Sequence, residues 1–202
     1  MNASFGLKIP IDSKATVRAL NKIQKKQIPF AIALALTRTA TGARKKLVKE
    51  MSVYFDRPTP YTKQAVWFTK AKKSRLYADV YIRQKQWQYL QYQVAGGIRP
   101  PKRKAIAVPT RNLTDRNRYG NMRKTQLQRI INHPDTFSGK VSGVAGVWQR
   151  LPNGRVKLLV AWEPRAAYSK RYPFARITKG YVQKNYSRIF KGALRYALKS
   201  AK

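Results

Sequence analysis

The chain has no cysteine, a single histidine (His133) and only 7 Asp+Glu among 202 residues. Without Cys there is no disulfide, no thiolate metal site and no Cys nucleophile. One His rules out a two-His metal centre. The acids Asp12, Glu50, Asp56, Asp79, Asp115, Asp135 and Glu163 stand singly, and no pair has nuclease-like spacing followed by Lys. There is no Walker loop, no G-x-G-x-x-G and no nucleophile elbow. Hydrolytic chemistry needs positioned acids and bases or a metal cage. The expectation is therefore a non-enzyme, with no catalytic residue, no metal ligand and no cofactor. Long apolar runs are also missing. The longest, Phe30 to Leu36, falls far short of the roughly 20 residues of a bilayer span. Met1-Asn2-Ala3-Ser4 lacks a basic n-region and no apolar segment follows it, so neither an export signal nor a membrane partner is expected.

What is abundant is positive charge. Lys+Arg number 44, and the formal net charge is +37. A compact domain this basic repels itself, and a polyanion commonly offsets the repulsion. Nucleic acid is the leading partner, ahead of an acidic protein surface and of anionic lipid. The chain is not a disordered basic tail, because 43% of it is hydrophobic and it holds 4 Trp, 12 Tyr and 7 Phe.

Spacing and punctuation predict an α+β fold. Residues 1–28 read as an extended arm followed by a short helix, capped by Ser13 and carrying Val17, Leu20 and Ile23. The arm, residues 1–12, is a candidate to lie on a neighbouring subunit. Residues 29–202 read as one α+β domain. Pro29 suits the first turn of a helix reaching Met51, with Phe30, Leu34, Ala40, Leu47, Val48 and Met51 inward. Pro58 and Pro60 break it. Ala65 to Phe68 and Leu76 to Ile82 are expected strands. Trp87, Leu90 and Val94 mark a short helix that stops at Gly96-Gly97. Ala105 to Val108 is a short strand. Residues 110–140 read as polar and turn-rich around a helix at Thr125 to Ile131. Val144 to Gln149 and Val156 to Trp162 flank Asn153-Gly154, the clearest hairpin signal in the chain. The sheet is expected to be mainly antiparallel, and a long amphipathic helix from Thr178 to Ala201 closes the chain.

That last helix has two faces at about 100° per residue. Val182, Tyr186, Ile189, Phe190, Ala193 and Ala197 share one. Lys184, Arg188, Lys191, Arg195, Lys199 and Lys202 share the other, a stripe of about 27 Å at 1.5 Å per residue. A solvated surface face and a phosphate contact both remain open for this stripe. Solvated faces ordinarily mix signs, because like charges at i,i+4 repel. Here no acid follows Glu163. A second basic cluster, Lys102-Arg103-Lys104, follows Pro100-Pro101, and stiff Pro residues can hold cations outward. Trp67, Tyr77, Tyr81, Trp87, Tyr89 and Tyr92 interleave with Lys and Arg. Core and edge packing is the favoured reading for these rings, over a stacking platform for single strands.

Several segments together carry a resemblance. These are Phe55-Asp56-Arg57-Pro58-Thr59-Pro60-Tyr61-Thr62; Tyr89-Leu90 through Gln93-Val94-Ala95-Gly96-Gly97 to Arg99, with Val108-Pro109; and Tyr119-Gly120-Asn121-Met122 with Gln126 and Ile130. Gly146-Val147-Trp148, Arg171-Tyr172-Pro173-Phe174 and the closing helix complete the set. From about residue 28 to the end, the chain resembles a family of tailed-bacteriophage virion proteins. The order of elements is similar to that of the minor tail protein Z group, the tail-completion proteins of lambda-like phages. The resemblance implies a non-enzymatic virion component at the tail or head–tail junction, assembled in the host cytoplasm. It implies a homo-oligomeric ring around the DNA channel, with genome duplex DNA and tail-tube, connector or portal-proximal subunits as partners. The alternatives are a free nucleic-acid-binding protein, RNA-associated or for packaging, and a connector whose basic surface meets acidic proteins.

Overall fold

The structure is a computed structural model that describes residues 6–8, 22–102 and 104–200. The fold is α+β, with antiparallel sheets and a long C-terminal helix. The chain divides into two compact units, Met1–Val94 with Arg171–Lys202, and Ala95–Lys170.

The first unit is built on two long helices, α1 (Lys22–Tyr54) and α5 (Phe174–Lys199). They run antiparallel. Phe30 meets Tyr196 near one end (ring centroids 6.3 Å), and the Tyr172 hydroxyl, just before α5, donates to the Leu47 carbonyl at the other (3.0 Å). Small residues allow the approach: Ala31, Ala35, Thr39, Ala43, Thr178, Ala193 and Ala197 are buried. A Cβ on Gly42 would collide with the Tyr181 ring.

The expected helix start at Pro29 is corrected, since α1 begins at Lys22 and runs through that proline. An interior Pro costs about 3 kcal/mol. Ile28 and Ile32 bracket it in the core, and burying such side chains returns about 1.5–3 kcal/mol each. The buried line also differs from the expected one. Ile28, Ile32 and Leu36 join Ala40, Leu47 and Met51 in the core. Phe30, Leu34 and Val48 are only half-buried. Ser13, Val17 and Leu20 lie outside the described residues.

A three-stranded antiparallel sheet lies in the same unit, in the order β1 (Gly6–Lys8), β3 (Asp79–Ile82), β2 (Val66–Phe68). Val66, Val80 and Ile82 face the core with Ala65 and Ala78. Gly6–Lys8, within the arm that is a candidate to lie on a neighbouring subunit, pairs with the chain's own β3. The short helix α2 (Pro60–Lys63) is capped by Thr59, whose hydroxyl accepts from the Thr62 N–H. In α3 (Gln84–Ala95), Leu90 reaches the core. The Gln93 carbonyl accepts from the N–H groups of Arg171 and Tyr172 (2.8 and 2.9 Å). That clasp fixes the entry to α5, which therefore starts at Phe174 rather than Thr178.

The second unit holds two antiparallel sheets: β4 (Gly97–Arg99) with β9 (Ala166–Tyr168), and β5 (Ile106–Pro109)–β8 (Val156–Glu163)–β7 (Val144–Arg150)–β6 (Thr136–Val141). Leu113, Val147, Leu159 and Val160 form its core, covered by Met122, Leu127, Ile130 and Trp162. Leu127 and Ile130 lie on α4 (Gln126–Ile131). The β7–β8 hairpin forms as expected. Gly154 takes φ +74° while Asn153 does not turn positive. Leu151 and Arg155 close the turn (2.8 Å). Strand β6 replaces the end of the expected turn-rich segment. It pairs with β7 across Ser142-Gly143, both at positive φ (47° and 83°), the geometry of a two-residue hairpin turn.

Candidate nucleic-acid interface

The basic stripe on α5 follows from the burial of the opposite face. Phe174, Thr178, Ala193 and Ala197 are buried, and Ile177, Tyr181, Val182, Tyr186, Ile189 and Phe190 are half-buried. That fixes the rotation of the helix. Lys184, Arg188, Lys191, Arg195 and Lys199 are consequently all exposed along one side. Lys202 lies outside the described residues. Arg188 Nη2 donates to Asn185 Oδ1 (3.3 Å). Among the described residues, no carboxylate pairs with any of the five. The ion pairs there are Lys46–Glu50 (2.7 Å), Arg57–Asp56 (3.0 Å), Arg123–Asp115 (3.4 Å) and His133–Asp135 (3.8 Å). Five unneutralised cations at steps of three and four form a ridge about 22 Å long at the helical rise.

The second cluster belongs to the other unit. Lys102 and Lys104 are exposed in the loop between β4 and β5, and Arg103 lies outside the described residues. Two short loop cations are a weaker element than the α5 ridge.

Beneath the ridge, Tyr186 stacks on Phe190 (6.0 Å, 18°). Burial pushes its phenol up to about 12, against about 10 for a free tyrosine. The folded chain therefore holds this proton more tightly than the unfolded chain does. The stabilisation is whole below pH 10 and is lost as pH rises from 10 to 12. Tyr186→Phe removes the titrating group. Over that window the melting temperature of the wild type should fall relative to the variant, with a constant gap below pH 10. Equal slopes through the window would refute it.

The motif segments play architectural parts. Gln126 is buried; its amide donates to the Asp115 carbonyl and its Oε1 accepts from the Arg123 N–H (2.9 Å). Asn117 Oδ1 accepts from the N–H groups of Tyr119 and Asn121 around Gly120 (φ +78°). Among the described residues no group of three or more His, Cys, Asp or Glu is placed to hold a metal ion, and no helix is long and apolar enough to cross a membrane.

One cluster was not visible in the sequence. Trp67 sits on the edge strand β2, 39% exposed. Arg44 from α1 and Arg83 after β3 both lie over its ring, at 5.1 and 4.2 Å from the centroid. Positions 44, 67 and 83 share no spacing that marks them as neighbours. No protein-family model, curated protein or solved structure matches the chain.

Proposed function

We propose that the chain is a non-enzymatic structural protein of a tailed-phage virion, at the tail or head–tail junction. In this reading it forms a ring around the DNA channel and contacts genome DNA or neighbouring subunits through its basic surface. The observation that carries the DNA contact is the α5 ridge: five exposed cations on one side, with no acid after Glu163. The virion setting is supported by the sequence resemblance. A closed ring repeats each subunit's surface about one axis, so one ridge per copy gives a channel a continuous positive lining. A genome in passage is gripped through its phosphates, which position without reading sequence.

The test is the salt dependence of binding to a duplex oligonucleotide. Each phosphate neutralised contributes about −0.9 to the slope of log K against log salt. Five contacts give a slope of about −4 to −5, and affinity falls about 10²–10³-fold between 50 and 200 mM salt. Unrelated duplex sequences should bind alike. A flat salt profile, or strong preference for one sequence, contradicts the proposal. The virion setting is tested separately, by locating the chain in a map of purified particles.

A further inference from the structure

The side chains around Trp67 carry an inference beyond the α5 ridge. Strand β2 is the outer strand of its sheet, so its outward backbone groups are unpaired by a further strand. Arg44 Nε meets one of them, donating to the Val66 carbonyl (3.0 Å). That bond holds the Arg44 guanidinium at the Trp67 ring, 5.1 Å from its centroid. Arg83 arrives from the other neighbour. Its N–H bonds the Ala65 carbonyl (2.8 Å), extending the β2–β3 ladder. Trp67 pairs with Tyr81. Arg83 is two residues beyond Tyr81 and so shares that face of the sheet. Its guanidinium lies 4.2 Å from the same ring.

Two like charges are thus held against one indole. Neither has a carboxylate partner among the described residues. Asp79, on the same face of β3, accepts from the Thr69 hydroxyl (3.1 Å). Arg44 and Arg83 are both half-buried residues, so the repulsion between them is screened less than at a free surface. Cation–π contact with the indole offsets part of that repulsion. A phosphate beside either guanidinium relieves it further. A guanidinium keeps several N–H donors free when its plane lies on a ring, and their fork matches phosphate oxygens.

We propose that Arg44 and Arg83, held by Trp67, form a phosphate-binding cluster for the backbone of nucleic acid. It is built on elements other than α5, and it rests on the nucleic-acid reading above. Trp67 is a positioning residue, and the two arginines are the contacts.

The test compares Arg83→Gln, Trp67→Leu and Arg155→Gln in binding a duplex oligonucleotide across a salt series. Arg155 is exposed at the β7–β8 turn and is a charge-matched control. Arg83→Gln should weaken binding about fivefold and reduce the steepness of the salt slope by about 0.9, one phosphate contact. Trp67→Leu keeps both charges; it should weaken binding about threefold with the slope nearly unchanged, since it loses pre-organisation rather than charge. Arg155→Gln should change affinity less than about twofold, because it touches no contact. A merely structural Arg83 would shift the melting temperature and leave the salt slope alone. If Arg83→Gln matches Arg155→Gln in affinity and slope while the wild type binds, the cluster is overturned and the α5 reading stands. An unchanged affinity in Trp67→Leu overturns the part given to the indole. If the wild type binds no duplex at any salt, the nucleic-acid reading falls, and the cluster with it.

Discussion

Reversing Arg188, Lys191 and Arg195 to Glu together should abolish most duplex DNA binding while leaving the fold intact. All three side chains are exposed on the ridge of α5. Exposed substitutions away from special features usually change stability by less than about 0.5 kcal/mol each. Helix pairing moderates the change further. Arg188→Glu faces Lys184 one turn earlier, and Arg195→Glu faces Lys199 one turn later. Such i,i+4 attractions are worth about 0.2–0.5 kcal/mol each, while positions 191 and 195 carry like charges both before and after the change. Binding has no such compensation. Three of five phosphate contacts disappear and three repulsions replace them. The salt slope should shrink from about −4.5 to about −2, and affinity near 100 mM salt should drop by at least about 100-fold. Circular dichroism and thermal melting check the fold, and a binding series in salt checks the slope. In a particle, the same variant should assemble poorly or fail to retain its genome. A triple variant that binds duplex DNA like the wild type removes α5 from the interface. One that unfolds is replaced by Arg188→Gln, Lys191→Gln and Arg195→Gln, for which the slope should still fall by about 2.7.

The ridge was legible in the sequence because helical periodicity alone decides it. Apolar residues at Val182, Tyr186, Ile189, Phe190, Ala193 and Ala197 set the rotation, and the cations follow from the arithmetic of 3.6. The β7–β8 hairpin was legible for a similar reason, since alternating strands flank an Asn-Gly step. Other features depend on tertiary balance. Proline predicts a helix start, yet α1 passes through Pro29 because Ile28 and Ile32 are buried on either side. Strand β6, Thr136–Val141, contains Ser138, Gly139 and Lys140, which local propensity assigns to turns. Its neighbour β7 supplies the pairing that overrides this. The Arg44–Trp67–Arg83 cluster draws on a helix, a strand and the residue after another strand, and no local pattern encodes that meeting.

Gly146→Val should be the most damaging single change in the second unit, against what local propensity predicts. Valine is a better strand former than glycine by up to about 1 kcal/mol, so propensity alone expects stabilisation. Gly146 lies in β7 between two paired strands, opposite Gly139 of β6 and Ala161 of β8. A Cβ there would run into Leu158 Cδ1 and the Val160 carbonyl oxygen. The leucine can rotate away. The carbonyl cannot move without disturbing β8, because Val160 pairs with Val147 and both are fully buried. The ladder already shifts register between Val147 and Trp148, so the strand has little further freedom to yield. Overpacking of this kind costs about 1–3 kcal/mol, and a β-branched side chain against backbone belongs at the upper end. A loss of about 3 kcal/mol lowers the melting temperature by about 6–12 °C for a chain of this size. Gly139→Val on the adjoining edge strand is the control. A Cβ at Gly139 meets only the Phe137 ring, at 3.4 Å, so its cost should be small and propensity should leave it near neutral. Leu158→Ala added to Gly146→Ala relieves the side-chain conflict but not the carbonyl one, so it should restore only part of the lost stability. Equal melting temperatures for Gly146→Val and Gly139→Val would show that β7 and β8 are not packed at this register.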